Sequence, residues 1–156
     1  MQNYGMEVEG QQLRRGGGFV AYHVPKVPGR YSFAGQARRG DFLRHEKLQW
    51  YAGFQDSENY FLFTVDGKHA LIHEVEDGKS HEVARVPFSA DLDKWVQVDM
   101  AVKSGSIDAR IKTPEGEWVD LGPVTSPGRD LTQNKVGLYI PGNDEVAVSN
   151  FRFSAR

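Results

Sequence analysis

The chain has 156 residues, a formal net charge of -2 and no cysteine. That length suits one domain with a sizeable core, and the absent thiols exclude disulfides, thiol catalysis and cysteine-based zinc sites. The near-neutral charge exerts no long-range pull toward nucleic acid, and Arg14-Arg15 and Arg38-Arg39 read as short surface patches.

No apolar run approaches the roughly 20 residues that span a bilayer, so membrane insertion is not expected. The opening MQNYGMEVEGQQLRR carries no apolar segment of the kind a signal peptide needs. The compartment stays open. An extracytoplasmic place follows if the chain is one module of a longer exported protein with other domains as partners.

Turn signals recur about every 8–12 residues, the spacing of an all-β sandwich. The first candidate strands fall near 18–24 and 30–38. The next two, near 47–56 and 59–66, flank the polar break Asp56-Ser57-Glu58-Asn59. Period-two alternation puts Leu48, Trp50, Ala52 and Phe54 on one face, with Phe61, Phe63 and Val65 opposite them. A two-residue loop at Ser57-Glu58 pairs Phe54 with Phe61, Ala52 with Phe63 and Trp50 with Val65, all inward.

Strands near 69–76 and 80–87 come next. A turn at Asp66-Gly67, a favoured hairpin dipeptide, sets Tyr60 beside His73 and Leu62 beside Leu71. The outer face of these strands then collects Tyr51, Gln55, Tyr60, Leu62, Thr64, His69, Leu71 and His73, unusually aromatic for a solvated surface. A second tight turn at Asp77-Gly78 pairs Glu74 with His81 and His73 with Glu82.

The remaining strands are expected near 94–103, 106–113, 117–121, 134–140 and 145–153. In the Ser104-Gly105 hairpin, Val96, Val98, Met100 and Val102 meet Ile107, Ala109 and Ile111 inward. Asp99 meets Arg110 and Gln97 meets Lys112 outward, a charge-paired solvent face. Trp50, Trp95 and Trp118 are assigned to the core.

Three segments in order, 50–67, 92–111 and 135–153, resemble the concanavalin A-like lectin/glucanase superfamily. They carry a D-x-x-N-Y hairpin (DSENY), a W-x-x-[VL]-x-[MV]-x-V strand related to WVQVDMAV, and a closing pair ending in SNFRF. The resemblance implies an antiparallel two-sheet jelly roll. Within the superfamily the chain is similar to C-terminal sandwich modules of bacterial multidomain proteins and to the DUF1080-like group, some of which act on 3-keto-glycosides.

A non-catalytic module recognising a glycan or glycosylated surface is the leading functional reading. Aromatic rings stack on sugar rings while amides and charged groups read hydroxyls, and Tyr51, Gln55, Tyr60 and His73 suit that work. Arg38 joins them if its strand lines the same groove. A hydrolase like the keto-glycoside group, with Glu82 or Glu46 as acid/base, is the alternative. The E-x-D-x-x-E motif of sandwich glucanases is absent from HEVEDGKSHE (73–82), which counts against a paired-carboxylate reaction. A protein-interaction or spacer domain is the third reading.

No cofactor is implied. A structural calcium would draw on Asp56 and Asn59 or on Asn143, Asp144 and Glu145, although turns require the same residue types. His69 and His73 lie about 13 Å apart along a strand, too far for one ion.

Overall fold

The computed structural model describes residues 5–15, 18–23, 26–38, 47–90, 92, 94–132, 135–140 and 145–155. These residues contain twelve strands and no helix. In chain order the strands are β1 (Gly5–Arg15), β2 (Gly18–His23), β3 (Gly29–Arg38), β4 (Leu48–Asp56), β5 (Asn59–Val65) and β6 (His69–Glu76). They continue as β7 (Lys79–Pro87), β8 (Val96–Val102), β9 (Ile107–Lys112), β10 (Trp118–Asp120), β11 (Lys135–Ile140) and β12 (Glu145–Ala155).

Two six-stranded sheets result, ordered β1-β12-β3-β8-β9-β10 and β2-β11-β4-β5-β6-β7. Every strand pairing is antiparallel. The fold is therefore the all-β jelly-roll sandwich expected from the strand spacing and from the resemblance. β1 is an addition. Its sequence, GMEVEGQQLRR, alternates poorly, and a register shift between Val8 and Gln11 interrupts its pairing with β12.

Alternating apolar residues from both sheets meet in one core. Trp50 of β4 is fully buried and stacks on Phe63 of β5, with ring centroids 5.4 Å apart and planes 5° from parallel. Phe33 of β3 meets Trp50 edge-on at 5.9 Å, so the aromatic contact crosses between the sheets. A buried indole N–H needs an acceptor. The Met100 sulfur on β8 provides it at 3.3 Å.

The β8–β9 hairpin has the expected register, with Gln97 opposite Lys112 and Asp99 opposite Arg110. Val96, Val98, Met100, Ile107, Ala109 and Ile111 are all buried. Arg110 Nη2 lies 3.0 Å from Asp99 Oδ2 on the outer face. Two of the three tryptophans depart from expectation. Trp95 and Trp118 are 36% and 39% exposed, and only Trp50 serves the core.

Candidate functional site

The β4–β5 hairpin turns where expected, with Asp56 opposite Asn59. Asp56 Oδ1 accepts hydrogen bonds from the Glu58 N–H at 2.8 Å and the Asn59 amide at 2.9 Å. The Asn59 donor, followed by the Glu58 N–H, holds the Asp56 carboxyl below the usual carboxylate range. Asn59 Oδ1 in turn accepts from the Asp77 N–H at 3.1 Å, tying this turn to the next one.

Behind that turn the expected register fails for a local reason. Trp50 pairs with Phe63 and Ala52 with Phe61, two residues away from the simple two-residue-loop pattern. The shift lies between Ala52 and Asp56, where Gly53 adopts a φ of +62°, a left-handed backbone that L side chains avoid. A Cβ on Gly53 would stand 3.1 Å from Phe61 and 3.2 Å from Ile107, so this position faces the core. The bulge turns Phe54 out of the core, opposite to the alternation in the sequence. Its ring centroid lies 5.1 Å from Tyr51 and 5.8 Å from Tyr60.

The β5–β6 register is also two residues from expectation. Asp66 Oδ1 accepts from the N–H groups of Lys68 at 3.0 Å and His69 at 2.7 Å. Asp66 thereby becomes the anchor before the turn and leaves Gly67-Lys68 as its tip, with Val65 opposite Ala70. Shifting by two preserves the faces, so the outer set survives with different neighbours.

One outer row runs straight across the sheet: Gly137 on β11, Tyr51 on β4, Leu62 on β5, His73 on β6 and Glu82 on β7. The neighbouring row holds Gln49, Thr64, Leu71 and Arg85. Gln49 Nε2 donates to Thr64 Oγ1 at 3.0 Å, and both residues are buried. Tyr60 pairs with Val75, so it stands one row from His73 and not directly beside it.

Tyr51 is 1% exposed and forms the floor of the aromatic cluster; burial pushes its phenol up to about 12. Tyr60, Phe54 and His73 are half-buried, and Gln55 is exposed at the rim. Gln55 Nε2 lies 3.5 Å from the Asp130 carbonyl. Arg38 ends β3 in the opposite sheet, where its backbone pairs with Glu145. Its side chain lies outside the described set, as does Glu46.

Two residues of this face escaped the sequence reading. Phe54 was hidden by its alternation, although a glycine between two aromatic residues signals a bulge. Arg85 was the other. Its Nη2 donates to Glu82 Oε1 at 2.8 Å and its Nε to Oε2 at 3.2 Å, a two-pronged pair. That bonding to Arg85 holds the Glu82 carboxyl below the usual range.

The Glu74–His81 and His73–Glu82 pairings stand as expected. Glu74 faces inward, where Ser126 donates to Oε2 at 2.9 Å and His81 Nε2 lies 3.5 Å from Oε1. For calcium, Asp56 Oδ1 and Asn59 Oδ1 accept turn hydrogen bonds, and Asn143 and Asp144 lie outside the described residues. No group of three or more metal-binding side chains occurs among the described residues. No helix there is long and apolar enough to cross a membrane.

No protein-family model matches the chain, and no curated protein matches it by sequence. Solved structures do match in shape. The xylan β-1,4-xylosidase of Bacillus halodurans C-125 superposes with a TM-score of 0.70 at 13% identity over 92% of this chain. GH43B of Bacteroides ovatus gives 0.68 at 14% identity over 94%. The chain spans about a third of those two enzymes, covering 32% and 33% of their lengths. The carbohydrate-binding module CBM66 of Bacillus subtilis gives 0.62 at 13% identity, covering 96% of this chain and 91% of the module. Sandwich topology, strand pairing and these neighbours together establish the concanavalin A-like jelly-roll fold for this chain.

Proposed function

We propose that the chain is a non-catalytic carbohydrate-binding module whose ligand lies on the outer face of β4–β7. The observation that carries this reading is the step built by the Gly53 bulge. Half-exposed Phe54 and Tyr60 rest on buried Tyr51, with Gln55 at the rim and His73, Glu82 and Arg85 across the face. Aromatic rings seated on a rigid floor offer stacking area at little ordering cost, and the flanking amide, imidazole and ion pair offer hydrogen bonds to hydroxyls. The match to CBM66 over nearly the whole of both chains supports the same reading.

The hydrolase reading has less support from this geometry. A general acid needs a raised carboxyl pKa, whereas Arg85 lowers that of Glu82. Glu74 on β6 turns into the sandwich and bonds Ser126. Recognition by a module linked to other domains fits the enzymes in which the same fold forms about a third of the chain.

A glycan array followed by calorimetry tests the proposal. Tyr60→Ala is expected to weaken binding at least tenfold with an unchanged melting temperature. Binding that survives Tyr60→Ala and Gln55→Ala together would place the ligand elsewhere.

A further inference from the structure

The two displaced tryptophans lie on the other sheet. Trp118 pairs with Lys112, which pairs with Gln97, so these three residues form one row across β10, β9 and β8. Val96 and Val98 are buried; alternation therefore carries Trp95, which immediately precedes β8, to the outer side with Gln97. Strand spacing and rise place the Cα atoms of Trp95 and Trp118 about 12 Å apart. Lys112 and Gln97 lie between them.

Trp118 packs against two cations. The Arg110 guanidinium carbon sits 4.1 Å from its ring centroid and the Lys112 ammonium 5.5 Å from it. Such contacts orient the ring, and Trp118 still keeps 39% of its surface exposed. The ionic groups nearby largely satisfy one another. Asp99 accepts from Arg110 at 3.0 Å and lies 3.8 Å from Arg30. Beyond this row, Arg30, Asp99, Asp108, Arg110 and Asp120 line a shallow depression of about 280 Å³.

We propose that this outer face of β8–β10 is a second ligand surface, one that takes an extended chain of neutral sugars across Trp95 and Trp118. Side chains from Cα atoms at this separation can reach two rings of one oligosaccharide, and the Gln97 amide and Lys112 ammonium supply hydrogen bonds to hydroxyls between them. Charges that cancel locally give no field that would select an ionic polymer. Two faces on opposite sheets would let one domain bridge two chains and gain avidity. This surface shares no residue with the β4–β7 face and does not depend on it.

Calorimetry on the whole chain with xylohexaose, cellohexaose and hexamannuronate tests it, alongside N-bromosuccinimide oxidation of the indoles. A neutral hexaose is expected to bind and to protect two of the three tryptophans from oxidation. Trp95→Ala and Trp118→Ala should each weaken at least tenfold the binding that protects the indoles. The inference is overturned by any of three results. They are no binding or protection with either neutral hexaose, preference for the acidic hexamer, or binding abolished by Tyr60→Ala but kept in both tryptophan variants.

Discussion

Arg129 donates to Glu74 Oε2 at 3.1 Å, and the two side chains are only 13% and 10% exposed. Its Nη2 donates to the Gly53 carbonyl at 3.1 Å, and the group lies 5.7 Å from the Phe61 ring. One side chain therefore ties β6, the segment after β10 and the bulge that lifts Phe54. Removing the cation would leave a carboxylate in poor solvent. Arg129→Met is expected to cost about 3–5 kcal/mol and Glu74→Gln clearly less. Urea denaturation decides this, and equal losses for the two variants would contradict it.

The bulge itself is open to a smaller perturbation. Gly53→Ala forces a Cβ onto a φ of +62° and against Phe61 and Ile107. A loss of more than about 1 kcal/mol is expected, because strain and crowding add. Any glycan affinity of the β4–β7 face should fall with it, since the bulge sets the direction of Phe54. A variant with normal stability and normal binding would show that another backbone path serves equally well.

Acid sensitivity follows from the turn anchored by Asp66. Burial raises its pKa, but hydrogen bonds from the His69 and Lys68 N–H groups outweigh this and hold it below its ordinary value of 3.8. The unfolded chain thus binds the proton more readily. The stabilisation is present above 3.8 and is lost as pH falls from there through the folded value. Asp66→Asn should lower stability at neutral pH by about 1 kcal/mol and flatten the dependence between pH 5 and 2. Denaturation midpoints across that range provide the check.

Alkaline behaviour has the opposite sign. Burial raises the Tyr51 phenol to about 12 from 10.0, and it raises Tyr31 further still. Above pH 10 the unfolded phenols release protons that the folded ones keep, so stability falls as pH rises. Tyr51→Phe should lessen that fall. Spectrophotometric titration should find a late-ionising phenol that Tyr51→Phe removes, and a difference between the two proteins that titrates near 10 would refute the burial.

Much of this architecture was legible in the sequence where turn chemistry acts alone. Asp77-Gly78 adopts positive φ at both residues, 50° and 79°, as a tight hairpin demands, and the Glu74–His81 pairing followed from it. Ser104-Gly105 likewise fixed the β8–β9 pairs. Legibility ended where a side chain or a glycine overrode alternation. Asp66 moved its loop by capping two N–H groups, and Gly53 reversed the face of Phe54 through its positive φ, at a carbonyl that also accepts from Arg129, 76 residues away. Exposure was the other blind spot. Trp95 and Trp118 look like core residues by type, yet cation contacts and strand parity set Trp118 outside, and Tyr51 looked exposed by parity yet lies beneath its neighbours.

The strand order has a consequence for synthesis. β1 touches its sheet through β12, and β2 touches the other through β11. Among the described residues, β1 and β2 therefore find their strand partners only in β12 and β11. Neither sheet can close while a ribosome still holds Lys135–Ala155, and the long separation between partners predicts slow folding. A chain stopped before Lys135 would release β1 and β2 together, with bare edges on β3 and β4 ready to recruit strands from other molecules.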